Sequence, residues 1–164
     1  MTTKKILKVR ALRTYQGKNT ELFSFFIPGV DILRIAQISR IRRGDESCLE
    51  GFQREEIKSH VKRIVEYLER DNVLFPNSII LSISSDVVFK QSRGRPPRGL
   101  IKGSETGILE IPIYDTERPV AWVVDGQQRS LALSQSTNKD LLVPVVAFLT
   151  DDLDVLREQF ILVN

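Results

Sequence analysis

From Lys5 to Arg13 the chain alternates, with Leu7, Val9 and Ala11 on one side and Lys8 and Arg10 on the other, the two-residue period of a strand with one buried face. Glu21 to Ile27 reads as a second strand, and Gly17 and Asn19 between them supply the turn of an opening hairpin. Pro28-Gly29 stops it. Asp31 then stands where it can cap a short helix through Ile32, Leu33, Ile35 and Ala36, after which the chain turns extended near Ile38 to Ile41 and enters a polar loop, Arg42 to Glu46. The period changes to steps of three and four at Ile57, Val61, Ile64, Val65 and Leu68, with Lys58, Lys62, Arg63, Glu66 and Glu69 between them. That spacing predicts an amphipathic helix from about Glu55 to Arg70.

Beyond Pro76 the apolar runs shorten. Ser78 to Ile83 predicts a strand that Asp86 to Phe89 continues or pairs with, and Ile108 to Tyr114, Pro119 to Val124 and Val143 to Leu149 predict three more. Ile79-Ile80-Leu81 and Val145-Val146-Ala147-Phe148-Leu149 are apolar at every position, as expected of central strands covered on both faces. Leu153, Leu156, Phe160 and Val163 have helical spacing without a capping signal at Asn164, so the sequence reads as one domain, residues 1–164, forming the N-terminal part of a longer protein.

Composition narrows the functional classes. The 164 residues, 41% hydrophobic and 27% charged, suit one soluble globular domain. No apolar run reaches the roughly 20 residues of a membrane span, and Met1 to Lys5 lacks a secretion core, so a cytoplasmic location is expected. One cysteine, Cys48, and one histidine, His60, leave no internal disulfide and no zinc site of the usual Cys/His kind; His60, beside the apolar stripe of its helix, reads as a surface residue. A net charge of +3 permits nucleic acid as a partner without requiring it. The basic residues concentrate in one place. Lys90 to Gly103 holds Lys90, Arg93, Arg95, Arg98 and Lys102 with no acid, plus Pro96-Pro97 and three glycines, which predicts a mobile loop between strands. Its Arg93-Gly94-Arg95-Pro96 looks like the core of an AT-hook, with Ser92 in place of the leading proline. Arg93, Arg95, Arg98 and Lys102 are thus candidates for DNA binding, against the reading as a solvated surface loop.

The richest short stretch is Asp125-Gly126-Gln127-Gln128-Arg129, between an apolar strand and the helix-favouring Ser130-Leu131-Ala132-Leu133. A strand, a glycine bend and a helix start aim free amides at whatever lies over the turn, a geometry that attracts phosphate, and an arginine one turn in can add a two-pronged contact. An aspartate beside phosphate needs a role, such as holding a metal ion or orienting water. The plainer alternative is that Asp-Gly marks a hairpin, or that Asp125 only caps a helix while Arg129 lies in solvent.

Taken in order, Phe52-Gln53-Arg54 opening the long helix, Phe75-Pro76-Asn77-Ser78 before a strand, and Asp125 to Arg129 resemble the DGQHR-domain proteins of DNA modification systems. The similarity, over roughly Ile32 to Asn164, is to the DpdB-like branch and its relative DndB, and more distantly to the ParB/sulfiredoxin and DUF262 group. It implies an α+β fold, a ParB/sulfiredoxin-like mixed sheet flanked by helices. By resemblance the site binds ATP through Gly126, Gln127, Gln128, Arg129 and Ser130, with Gln53 and Arg54 facing them from the other side. Asp125, Arg54 and Gln128 would be catalytic, and Asp125 would hold Mg²⁺. The DpdB-like branch further implies ATP hydrolysis supporting 7-deazaguanine insertion into DNA with a partner transglycosylase. Gln128 stands where the signature often has histidine, which removes any step needing an imidazole there. Gln127 stands where sulfiredoxins have a reactive cysteine, and an amide is no nucleophile. The alternatives left open are a non-catalytic DNA-binding regulator or adaptor of a phosphorothioation-type system, and a metal-dependent DNA nickase.

Overall fold

The alternating first segment becomes β1 (Thr3–Gln16), which turns back through Gly17 and Asn19, both at positive φ, into β2 (Thr20–Pro28). The computed structural model describes residues 3–38, 50–114 and 118–163, the side chains of residues 3, 4 and 50–56 excepted. A single turn of 3-10 helix at Gly29–Asp31 leads into α1 (Ile32–Ile35) and β3 (Ala36–Ile38). Asp31 does not cap α1 with its side chain; its carboxylate accepts instead from Arg34 at 2.6 Å, because the 3-10 turn already occupies the helix entry. Most of the extended stretch expected after Ile38, and the whole polar loop at 42–46, lie outside the described residues.

The amphipathic helix is α2 (Glu50–Leu68), beginning ahead of the expected Glu55 and so including Gln53 and Arg54. Then follow β4 (Ile79–Ile83), β5 (Val88–Gln91), β6 (Glu105–Tyr114), β7 (Ala121–Asp125), α3 (Gln127–Gln135), β8 (Leu142–Leu149) and α4 (Leu153–Val163). Among the described residues, all eight strands join one mixed sheet in the order β3-β7-β4-β8-β2-β1-β6-β5. β4 and β8, which carry the apolar runs 79–81 and 145–149, are parallel neighbours inside it. β5 neither continues nor pairs with β4. It pairs antiparallel with β6 at an edge, Phe89 opposite Leu109, where the Phe89 ring packs on Phe23 while Val88 stays exposed.

Alternation along the strands sorts two apolar layers. Ile79, Leu81, Val123, Val143 and Val145 face Ile32, Ile35, Val61, Leu68 and Leu133 of α1, α2 and α3. Ile80, Val124 and Phe148 face the other way, under Leu156 and Phe160 of α4. The result is a mixed α+β architecture with helices on both faces. Among the described residues no helix is long and apolar enough to cross a membrane.

Candidate functional site

β7 delivers Asp125 at its end, in register with Ile80 of β4, and Gly126 then makes the bend into α3 with φ +91. A side chain is barred there twice over: the backbone is left-handed, and a Cβ would stand 2.6 Å from Cδ1 of Ile79. The Ser130 amide closes the first helical turn onto the Gly126 carbonyl at 2.8 Å. Among the described residues no side chain caps the helix start, and its first turn carries no acid. Gln127 folds back, its Nε2 donating to the Val124 carbonyl at 2.9 Å.

Arg129 spans the turn. Nη1 donates to the carbonyls of Asn77 at 2.8 Å and Ser78 at 3.2 Å, and Nη2 donates to Oδ2 of Asp125 at 3.2 Å. Two motifs separated in sequence, Phe75 to Ser78 and Asp125 to Arg129, are therefore one structural unit. The Asp125 and Arg129 side chains are 34% and 23% exposed, so the pair sits at the surface rather than in the core. Gln128 is half-buried beside it, whereas Ser130 is fully buried and its hydroxyl has no partner among the described residues. Gln53 and Arg54 lie on α2, but their side chains are outside the described residues. Among the described residues no three of His, Cys, Asp and Glu gather to hold a metal ion. Asp125 would supply Mg²⁺ with one carboxylate, and a bound triphosphate and water would have to supply the rest.

Sequence reasoning missed Glu69, placed on the solvent side of its helix. Its carboxylate accepts from the Ser136 hydroxyl at 2.9 Å, the Thr137 amide at 2.8 Å and the Thr137 hydroxyl, stitching the chain just beyond α2 to the end of α3. The Thr137 hydroxyl, then its amide and the Ser136 hydroxyl, hold the Glu69 carboxyl below the ordinary glutamate range.

The basic loop leaves β5 and re-enters β6, and every residue from Lys90 to Ser104 is exposed. Its ends are fixed. The Ser92 amide donates to the Thr106 carbonyl at 2.8 Å, and the Thr14 hydroxyl donates to the Gly103 carbonyl at 2.6 Å. Behind it Arg13 donates to Glu105 through Nε at 2.8 Å and Nη2 at 2.5 Å, its guanidinium lying 4.4 Å over the Phe89 ring. Lys90 pairs with Glu110 at 3.0 Å, which holds that carboxyl below its usual range. Among the described residues nothing pairs with Arg93, Arg95, Arg98 or Lys102. Five strands lie between β7 and β5 in the sheet, so the structure does not bring the turn and the loop together.

A family model described as DndB, DNA-sulfur modification-associated, matches residues 9–164. No curated protein and no solved structure matches the chain.

Proposed function

The chain belongs to the DndB family, associated with DNA sulfur modification, and on that premise we propose that it is a non-catalytic DNA-binding regulator or adaptor of a phosphorothioation-type DNA modification system. The observation that carries this reading is the basic loop, anchored at both ends, with four cations whose charge no protein acid offsets among the described residues. Guanidinium and ammonium groups so placed gain by displacing counterions from a phosphate backbone. The charges at the turn are already spent on each other and on backbone carbonyls. In this reading Asp125 to Arg129 is a brace that sets β4, β7 and α3, and the loop Arg93 to Lys102 is the contact surface. Titrating binding of a DNA duplex against salt, with and without ATP, tests it. Affinity that falls steeply with salt and ignores ATP supports the reading; no binding at low salt ends it.

A second reading keeps the turn as a nucleotide site, favoured by the uncapped start of α3 behind Gly126. The amides of Gly126 to Gln128, with Arg129 and Ser130, would take the phosphates of ATP, Gln53 and Arg54 would approach from α2, and Asp125 would hold Mg²⁺ or aim water, with Gln128 beside it. To reach phosphate, Arg129 must first release Asn77 and Ser78, and Ser130 must become accessible. ATP hydrolysis in support of 7-deazaguanine insertion with a transglycosylase partner, as in a DpdB-like protein, and a ParB/sulfiredoxin-like kinship belong to this second reading. DNA nicking by Asp125 with a metal would use the same carboxylate. Phosphate release by the parent chain, lost in a folded Asp125→Asn variant, is the result that would move the turn from brace to active site.

A further inference from the structure

α4 covers only part of its face of the sheet, over β7, β4, β8 and Leu22 of β2. Across β2, β1 and β6 no helix covers the same face among the described residues. There Arg10, Leu12, Ser24, Phe26, Thr106 and Ile108 line a groove of about 310 Å³. Its apolar members face water to an unusual degree, Phe26 at 60% and Leu12 at 48% exposure, although their strand neighbours Phe25 and Ala11 are buried on the opposite side. An aromatic ring held on a rigid strand and left in water is a ready stacking surface.

The remaining lining says what would stack on it. Ser24, Thr106 and Ser92 place hydroxyls around the apolar floor, and Arg10 adds a cation with no partner among the described residues. Among the described residues the one carboxylate on the same face nearby, Glu110, is taken up by Lys8 at 3.7 Å and Lys90 at 3.0 Å. Ser92 both lines the groove and begins the basic loop, so Arg93 and Arg95 follow one and three residues beyond the groove's rim. Aromatic ring, hydrogen-bonding rim and adjoining cations are the combination by which proteins hold single-stranded nucleic acid, since every base has a face to stack and every link a phosphate.

We infer that this groove receives one unpaired base of a DNA strand. Phe26 stacks on the base, the hydroxyls of Ser24, Ser92 and Thr106 meet its edge, and Arg10 with Arg93 and Arg95 holds the flanking phosphates. This deepens the DNA-binding reading above and rests on it. The test compares the full chain with Phe26→Ala and Phe26→Trp for binding a short labelled oligothymidine strand and a mixed-sequence duplex. Because Phe26 is largely exposed, both variants should keep the parent's thermal transition, which is checked first. Phe26→Ala should bind the single strand about tenfold more weakly while binding duplex as the parent does. Phe26→Trp should retain strand affinity, with its emission quenched on binding. Equal affinity of parent and Phe26→Ala for the strand overturns the base site and leaves duplex binding through the loop standing, as does a parent that binds duplex only. A parent that binds neither overturns both.

Discussion

Arg129 holds Asp125 at 3.2 Å with one nitrogen and the Asn77 carbonyl at 2.8 Å with another, so a single guanidinium joins the end of β7 to the residues that lead into β4. The planar fork of arginine suits this task, because its donors diverge in fixed directions and can serve a carboxylate and a backbone carbonyl at once. Lysine offers no such geometry. The aspartate and arginine of the motif thus have a structural duty irrespective of any ligand, and Gly126 between them provides the bend that lets them meet.

Replacing Arg129 by alanine should therefore destabilise the fold by about 2 kcal/mol, the scale of a charge-assisted hydrogen bond lost at a half-buried site. Arg129→Lys should recover less than half of that. Asp125→Asn should cost less than about 1 kcal/mol, because the amide oxygen still accepts from Nη2. Urea unfolding midpoints at constant slope measure all three. An Arg129→Ala midpoint equal to the parent's would show that the clasp adds nothing.

Gly126→Ala meets two separate penalties, the left-handed φ of +91 and the collision with Cδ1 of Ile79 at 2.6 Å. The first alone costs about 1–2 kcal/mol, and with the second a loss of about 2–4 kcal/mol is expected. Ile79→Val deletes the offending methyl at a cost of about 1 kcal/mol by itself. The double variant should then be more stable than the sum of the singles implies, a coupling readable by a double-mutant cycle. Strict additivity would place the whole effect in the backbone.

Much of the fold was legible because it is local. The two-residue period of Leu7, Val9 and Ala11 and the three-to-four step of Ile57, Val61, Ile64 and Leu68 marked a strand and a helix, and the uninterrupted apolar runs at Ile79 and Val145 marked inner strands, though not that the two are neighbours. The basic loop was legible from composition. What escaped depends on distance along the chain. Arg129 reaches a carbonyl 52 residues away and Glu69 a hydroxyl 67 residues away, and neither periodicity nor a short motif encodes such a partner. The pairing of β5 with β6 was invisible for the same reason, since an edge strand of four residues fits several neighbours. Adjacent Phe25 and Phe26 show no alternation of polarity, so only the structure separates the buried ring from the exposed one.

Glu69 makes stability depend on pH in a defined direction. Its folded carboxyl titrates below the ordinary range because Thr137 and Ser136 donate to the ionised form. The contribution is complete above about pH 4.3, where the unfolded glutamate is also ionised, and is lost as pH falls through the lowered folded value. Glu69→Gln should lower the melting temperature at neutral pH, and the difference from the parent should shrink in stronger acid. Thermal melts of both proteins across the acid range check this; a difference that stays constant through that range would remove the carboxylate charge from the account.

The loop makes the sharpest demand on the DNA-binding reading. Each phosphate contact contributes roughly 0.9 to the slope of log affinity against log salt on duplex DNA. Arg93 and Arg95 have no protein partner among the described residues, and their loss leaves the anchoring bonds of Ser92, Thr14 and Arg13 in place. Arg93→Ala with Arg95→Ala should thus leave the unfolding transition unchanged while reducing the salt slope by about 1.8 if both touch phosphate. Arg13→Ala should act differently, loosening the base of the loop and weakening binding without changing the slope, because Arg13 is committed to Glu105 and the Phe89 ring rather than to solvent. Equilibrium binding of one duplex over a series of salt concentrations distinguishes the two variants. A double arginine variant with the parent's affinity and slope would take the loop out of the interface altogether.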